Sequence, residues 1–299
     1  MQIGMIGLGK MGYNLVENIL EHRHSVVAYD VNPEPAAALA KQGAVPAATI
    51  EELVQKLDAP RTVWIMVPAG AIVDSVIDTL IPLLDRGDLI IEGGNSHYKE
   101  SIARSEKLEA SGIYFLDVGT SGGTEGAREG GCFMIGGNKE VFARVEPLFK
   151  AIAVDKGYLY AGEAGSGHFL KMVHNGIEYG MMQSIAEGFE VLSKSHYQFN
   201  YEDVARIWAN GSVIRSWLMD LTERAFSKDP SLDSIQGVMQ SSGEGRWTVE
   251  TALDLQASAP VIAMSLFMRY RSLDSDTFHG KVVAALRNEF GGHAVLSTK

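Results

Sequence analysis

Gln2-Ile3-Gly4-Met5-Ile6-Gly7-Leu8-Gly9-Lys10-Met11-Gly12 opens the chain, and its reading decides the fold. Gln2 to Ile6 is a short apolar run that predicts a buried strand, and it passes without a break into Gly-x-Gly-x-x-Gly. From Tyr13 to Glu21 the apolar residues Leu15, Val16, Ile19 and Leu20 recur at helical spacing. Ser25 to Tyr29 predicts a second strand, and Asp30 follows it. Three glycines between a strand and a helix permit a tight turn and close approach of the backbone to a pyrophosphate. The helix N-terminus adds N–H donors and partial positive charge. A glycine fingerprint alone is a weak signal. In this strand–turn–helix context it predicts a dinucleotide site made by Gly7, Leu8, Gly9, Lys10, Met11 and Gly12.

Asp30 bears on which dinucleotide is held. A carboxylate at the end of the second strand accepts hydrogen bonds from ribose hydroxyls and repels a 2′-phosphate. Val31-Asn32-Pro33-Glu34 offers no cation to reverse that preference. The cofactor expected is therefore NAD, with NADP disfavoured. Asp30 is also placed to cap the helix expected near Pro33.

Outward from this unit the alternation of strand and helix continues. Strands are predicted at 62–67, 89–94, 114–118 and 132–136. In a doubly wound sheet ligands gather at the carboxyl ends of the strands. Val67, Pro68 and Ala69, then Asn95, then Ser121, Gly122 and Gly123 all occupy such ends. All of these positions are expected to line a ligand site, with Val67, Pro68, Ala69 and Asn95 among the cofactor contacts.

Beyond Gly165 strand signals fade and helices are predicted at 171–193, 201–209, 216–225, 247–257, 260–271 and 277–290. The expected fold class is α/β: a doubly wound Rossmann domain over 1–163, then an all-helical domain over 164–299. The first of these helices carries Lys171, His174, Asn175 and Glu178 at i, i+3, i+4 and i+7, which share one face. That face presents a potential base, a potential acid and two hydrogen-bonding groups. A domain junction is where pockets often form, and Lys171 and Glu178 are expected toward the nicotinamide end of the cofactor. A lysine acting as a base near neutral pH needs its charged form destabilised by about 4 kcal/mol, which burial can supply.

Composition limits the alternatives. The 299 residues carry a formal net charge of −11, which argues against a nucleic-acid binder. No apolar run is long enough to span a membrane, the first residues read as a strand and not as a signal peptide, and no metal-spaced His/Cys cluster appears. The single Cys132 cannot form an internal disulfide, so a reducing, cytoplasmic setting is expected. Cys132 itself reads as a small buried residue and not as a nucleophile.

These motifs together resemble the β-hydroxyacid dehydrogenases and, within them, the short-form 6-phosphogluconate dehydrogenases (decarboxylating). The resemblance covers nearly the whole chain. It rests on the glycine fingerprint, Gly94-Asn95-Ser96, Ser121-Gly122-Gly123-Thr124-Glu125-Gly126-Ala127-Arg128 and Lys171-Met172-Val173-His174-Asn175-Gly176-Ile177-Glu178-Tyr179. It extends to Gly243-Glu244-Gly245-Arg246-Trp247-Thr248, Phe267-Met268-Arg269 and Arg287-Asn288-Glu289-Phe290-Gly291-Gly292-His293. It implies that Lys171 removes the 3-hydroxyl proton as C3 gives hydride to the nicotinamide, and that Glu178 protonates C1 after CO2 leaves. It implies that Asn95, Ser121, Gly122, Gly123, His174 and Asn175 hold the sugar acid. Tyr179, Arg246, Arg269 and Arg287 would hold the phosphate, with His293 nearby. The implied product is ribulose 5-phosphate, in the pentose phosphate pathway. Arginine forks suit a phosphate dianion.

Departures from the family pattern carry information. Asp30-Val31 stands where NADP-using members have Asn-Arg, Pro68 where longer members have Lys, and Arg246 where they have Lys. The second set of helices of the long members is lacking. In those members the residues matching Arg287 and His293 come from a neighbouring subunit, so a homodimer or higher homo-oligomer with shared active sites is implied. A sister enzyme for 3-hydroxyisobutyrate or another small β-hydroxyacid shares the glycine–lysine–asparagine core, but needs neither the second acid nor the arginine-bearing tail. A non-catalytic NAD sensor needs the fingerprint without Lys171 and Glu178.

Overall fold

The computed structural model describes residues 1–296. Its first part alternates β1 (Gln2–Ile6), α1 (Lys10–Glu21), β2 (Ser25–Tyr29), α2 (Pro33–Ala40), β3 (Val45–Pro46), α3 (Ile50–Gln55), β4 (Thr62–Ile65), α4 (Ala71–Leu80), β5 (Leu89–Glu92) and α5 (Tyr98–Glu109). It continues through β6 (Tyr114–Ser121), α6 (Gly123–Glu129), β7 (Gly131–Gly137), α7 (Lys139–Ile152) and β8 (Ala153–Gly162). The strands form one sheet in the order β3-β2-β1-β4-β5-β6-β7-β8. Pairing is parallel up to β6; β7 then runs antiparallel to β6, and β8 lies parallel to β7. Reversal of strand order at β1 leaves a crevice outside its carboxyl end, where the glycine loop sits.

Successive strand residues point to opposite faces, so each central strand feeds two cores. Ile3, Met5, Val26, Ala28, Leu89 and Ile91 join the cluster under α1 and α7. Ile6, Val27, Val63, Ile65 and Ile90 join the one under α3 and α4. Burial on both sides is why these strands read as continuous apolar runs. β8 was not expected from the sequence, because it is a half-exposed edge in which only Gly157 is buried. β4 stops at Ile65, so Met66 and Val67 belong to the loop after it.

α8 (Ser166–Ser193) begins five residues before the predicted start. Two N–H groups near its start, of Gly165 and His168, donate to the Asp117 carboxylate at 2.7 and 2.8 Å, which anchors the helix to β6. Compact packing divides the chain inside α8, into 1–174 and the residues from Asn175 onward. The second unit holds α9 (Tyr201–Ala209), α10 (Trp217–Lys228), α11 (Gly243–Asp254), α12 (Pro260–Ser272) and α13 (Phe278–Gly291). Phe189, Ala205, Met219 and Phe226 form its small core. No helix among the described residues is long and apolar enough to cross a membrane.

Candidate active site

The glycine loop is built as its sequence requires. Gly7 has φ +95°, and a Cβ on it would lie 2.5 Å from the carbonyl oxygen of Met66. A Cβ on Gly12 would overlap the carbonyl of Gly7, so α1 packs directly on the loop. Gly9, the N-cap of α1, has no atom within 4 Å of its Cβ position and no side-chain cap. Gly7 and Gly12 thus allow close packing, and Gly9 leaves an open face at a helix N-terminus, which fits a pyrophosphate. Lys10 is exposed there and Met11 half-buried.

Asp30 is tied to this loop. Its carboxylate accepts from Leu8 N–H at 2.6 Å and from Asn32 N–H at 2.9 Å. The expected cap on α2 is corrected: Asn32, not Asp30, receives the Glu34 N–H at 3.2 Å. Asp30 therefore orients the turn while keeping lone pairs for ribose hydroxyls.

Val67 is half-buried beside the second core, and Pro68 and Ala69 are exposed after β4. Asn95 is exposed after β5. Ser121 ends β6, Gly122 makes the turn at φ +119°, and Gly123 begins α6. Ser121 Oγ lies 3.1 Å from His174 Nε2, so α8 and this turn meet.

Lys171 is buried against β6. A Cβ on Gly119 would overlap Cβ of Lys171, and a Cβ on Gly167 would lie 2.5 Å from the carbonyls of Asp117 and Met134. The two glycines let α8 approach the strands at backbone distance and bury Lys171 against β6. Cys132, opposite Ser121 on β7, is exposed and not buried as expected. Partial burial nevertheless raises its thiol above the ordinary range, while the nearby Lys171 charge opposes that shift.

In the second unit Tyr179 and Arg269 come together, the guanidinium carbon 3.6 Å from the ring centroid. The Tyr179 hydroxyl accepts from Ser242 N–H at 3.0 Å, and its ring fills the space that a Cβ on Gly245 would need. Arg269 donates to the Gln240 carbonyl at 2.6 Å. Arg246 is exposed and pairs with Glu250 at 2.6 Å. Arg287 and His293 are exposed, on and just beyond α13, and Asn175 and Glu178 are half-buried on α8.

Sequence reasoning missed a buried charged cluster in the first unit: Glu92, Arg104, Asp117 and His168. Its signal was available, since Glu92 and Asp117 interrupt otherwise apolar strands. The described residues contain no group of three or more His, Cys, Asp or Glu that could hold a metal ion.

Comparison with known proteins covers the same ground. Residues 2–162 match the NAD binding domain of 6-phosphogluconate dehydrogenase, and residues 167–290 the 6-phosphogluconate dehydrogenase C-terminal domain. YqeC of Bacillus subtilis, which bears a provisional 6-phosphogluconate dehydrogenase name, is 64% identical over 98% of this chain and 99% of its own. The NAD(+)-dependent, decarboxylating 6-phosphogluconate dehydrogenase of Haloferax volcanii is 43% identical over 99% of this chain and 98% of its own. The Plasmodium falciparum 6-phosphogluconate dehydrogenase, solved with NADP+ and with 6-phosphogluconate, superposes with a TM-score of 0.85 at 29% identity. It covers 100% of this chain, which spans 66% of that longer one.

Proposed function

The chain belongs to the 6-phosphogluconate dehydrogenase family, and on that premise we propose that it converts 6-phosphogluconate to ribulose 5-phosphate and CO2 while reducing NAD. The observation that carries this reading is the burial of Lys171 against Gly119, beside the Ser121–His174 bond. A buried lysine on the helix that also carries His174 suits proton removal from a sugar hydroxyl.

Bound NAD supplies the hydride acceptor. Reacting from its neutral form, Lys171 takes the proton of the 3-hydroxyl as the C3 hydrogen departs as hydride. The resulting 3-keto acid loses CO2 when the C1–C2 bond breaks and its electron pair moves toward the C3 oxygen. Lys171 returns its proton to that oxygen, giving an enediol. Glu178 then protonates the carbon that becomes C1, while Lys171 again takes the hydroxyl proton to restore the ketone. One proton passes from Glu178 to Lys171 over the cycle, and its return resets the pair. Asn95, Ser121, Gly122, Gly123, His174 and Asn175 hold the sugar acid in this reading.

Tyr179, Arg246 and Arg269 serve the phosphate, and Arg287 and His293 act from a second copy of the chain. An exposed apolar stripe on α13, Phe278, Val282, Val283 and Leu286, supports an oligomer. Asp30, with no cation in the next residues, supports NAD over NADP. The single cysteine supports a reducing, cytoplasmic setting. The test is NADH formation with 6-phosphogluconate against 3-hydroxyisobutyrate. Turnover of the phosphorylated acid alone is expected; turnover of the other alone contradicts the phosphate assignments.

A further inference from the structure

Arg104 on α5 lies inside the first unit with only 4% of its side chain exposed, and its guanidinium reaches the start of α4, the loop after β5 and its own helix. Nε donates to Asp74 Oδ1 at 2.7 Å, at the start of α4. Nη1 donates to Ser96 Oγ at 3.0 Å and lies 3.5 Å from Glu92 Oε2 at the end of β5. Nη2 donates to the Gly70 carbonyl at 3.3 Å and to Glu100 at 3.0 Å. Gly70 closes the Val67–Ala69 loop. Glu92 in turn accepts from Gly94 N–H at 2.9 Å through its other oxygen, so the residues on both sides of Asn95 are bound to one buried ion pair. The two loops also touch: a Cβ on Gly94 would lie 3.1 Å from the Val67 carbonyl oxygen. His168, three residues before Lys171, sets its Nδ1 3.6 Å from Glu92 Oε2 and 2.7 Å from Ser101 Oγ.

Burying a guanidinium beside a buried carboxylate is a poor way to gain stability, since well-packed apolar groups of the same volume often do as well or better. What such a cluster does provide is fixed geometry among several segments. We propose that Arg104 is a positioning residue: it clamps the loop after β4 to the loop after β5, so that Asn95 and Val67–Ala69 stay in register with Lys171. The inference rests on the functional reading given above for those loops. Burial acts against the Arg104 charge, but Asp74, Glu92 and Glu100 outweigh it and keep the group cationic, so the clamp holds across neutral pH.

The test compares Arg104→Lys and Ser96→Ala with the parent protein, using steady-state kinetics, NAD binding by tryptophan fluorescence and thermal unfolding. Lysine keeps the charge but cannot span three segments with a planar fork. Arg104→Lys is expected to stay folded, to bind NAD about tenfold more weakly, and to lose about 100-fold in kcat, as a shift of about 1 Å at the reacting groups would cause. Ser96→Ala removes one branch and is expected to lose about tenfold in kcat with near-parental unfolding. Variants that unfold earlier but keep parental kcat and NAD affinity would overturn the proposal and leave a structural ion pair. If the parent turns over an unphosphorylated β-hydroxyacid instead, the substrate reading falls and the Arg104 losses are read on that acid. If it turns over neither, NAD affinity decides: unchanged binding in Arg104→Lys overturns the clamp.

Discussion

Lys171 and Glu178 carry the chemistry in the proposed mechanism, and their loss should differ in kind. Lys171→Met is expected to lower kcat by about 1,000-fold or more, with NAD binding kept, because a general base contributes on the order of 100- to 10,000-fold. Glu178→Gln should lower the formation of the pentulose by a similar factor; a variant forming ribulose 5-phosphate at the parental rate would remove Glu178 from the mechanism. Cys132 provides a probe of the same place. Its raised thiol is protonated at neutral pH, so alkylation should be slow at pH 7 and speed up only above the ordinary thiol range. The Lys171 charge holds that shift down, so Lys171→Met should slow Cys132 alkylation at pH 8. An unchanged rate would mean that Lys171 carries no charge near the thiol in the resting protein. The sequence made Lys171, Ser121 and His174 legible because helical spacing and strand ends are local signals. It did not reveal the Glu92–Arg104–His168 cluster, whose partners are brought together only by the sheet order.

At the level of elements, central strands and amphipathic helices were legible because burial imposes a period on the residues. β8 was not, since an edge strand with a mostly solvent-facing surface has no apolar alternation to read. The early start of α8 was hidden too, because Gly165-Ser166-Gly167 resembles a loop until Asp117 receives its N–H groups. The docking of α8 on β6 gives a sharp prediction. Gly119→Ala places a methyl group on Lys171 Cβ. It should lower kcat by about 100-fold through displacement of Lys171, a loss expected of a shift near 1 Å. Circular dichroism checks that the helices persist; parental kcat in a folded variant would show that the close approach does not aim the lysine.

For the whole molecule, the change in periodicity near Gly165 signals an α/β part followed by a helical part, while compact packing divides the chain later, between His174 and Asn175. The proposed association was less legible, because an apolar stripe on a helix reads in the sequence as core. On α13 the stripe Phe278, Val282, Val283 and Leu286 is exposed in the single chain. Analytical ultracentrifugation should find at least a dimer, and Val282→Glu with Leu286→Glu should shift it to monomer and lower phosphate-dependent binding. A parental monomer with full activity would sink the assignment of Arg287 and His293 to a neighbouring copy. The central claim is oxidation coupled to loss of carbon, and it is tested most directly with 6-phosphogluconate carrying 13C in its carboxylate. NADH absorbance and labelled CO2 are followed together. The account predicts one labelled CO2 for each NADH formed; NADH accumulating with the label retained in the product would contradict it.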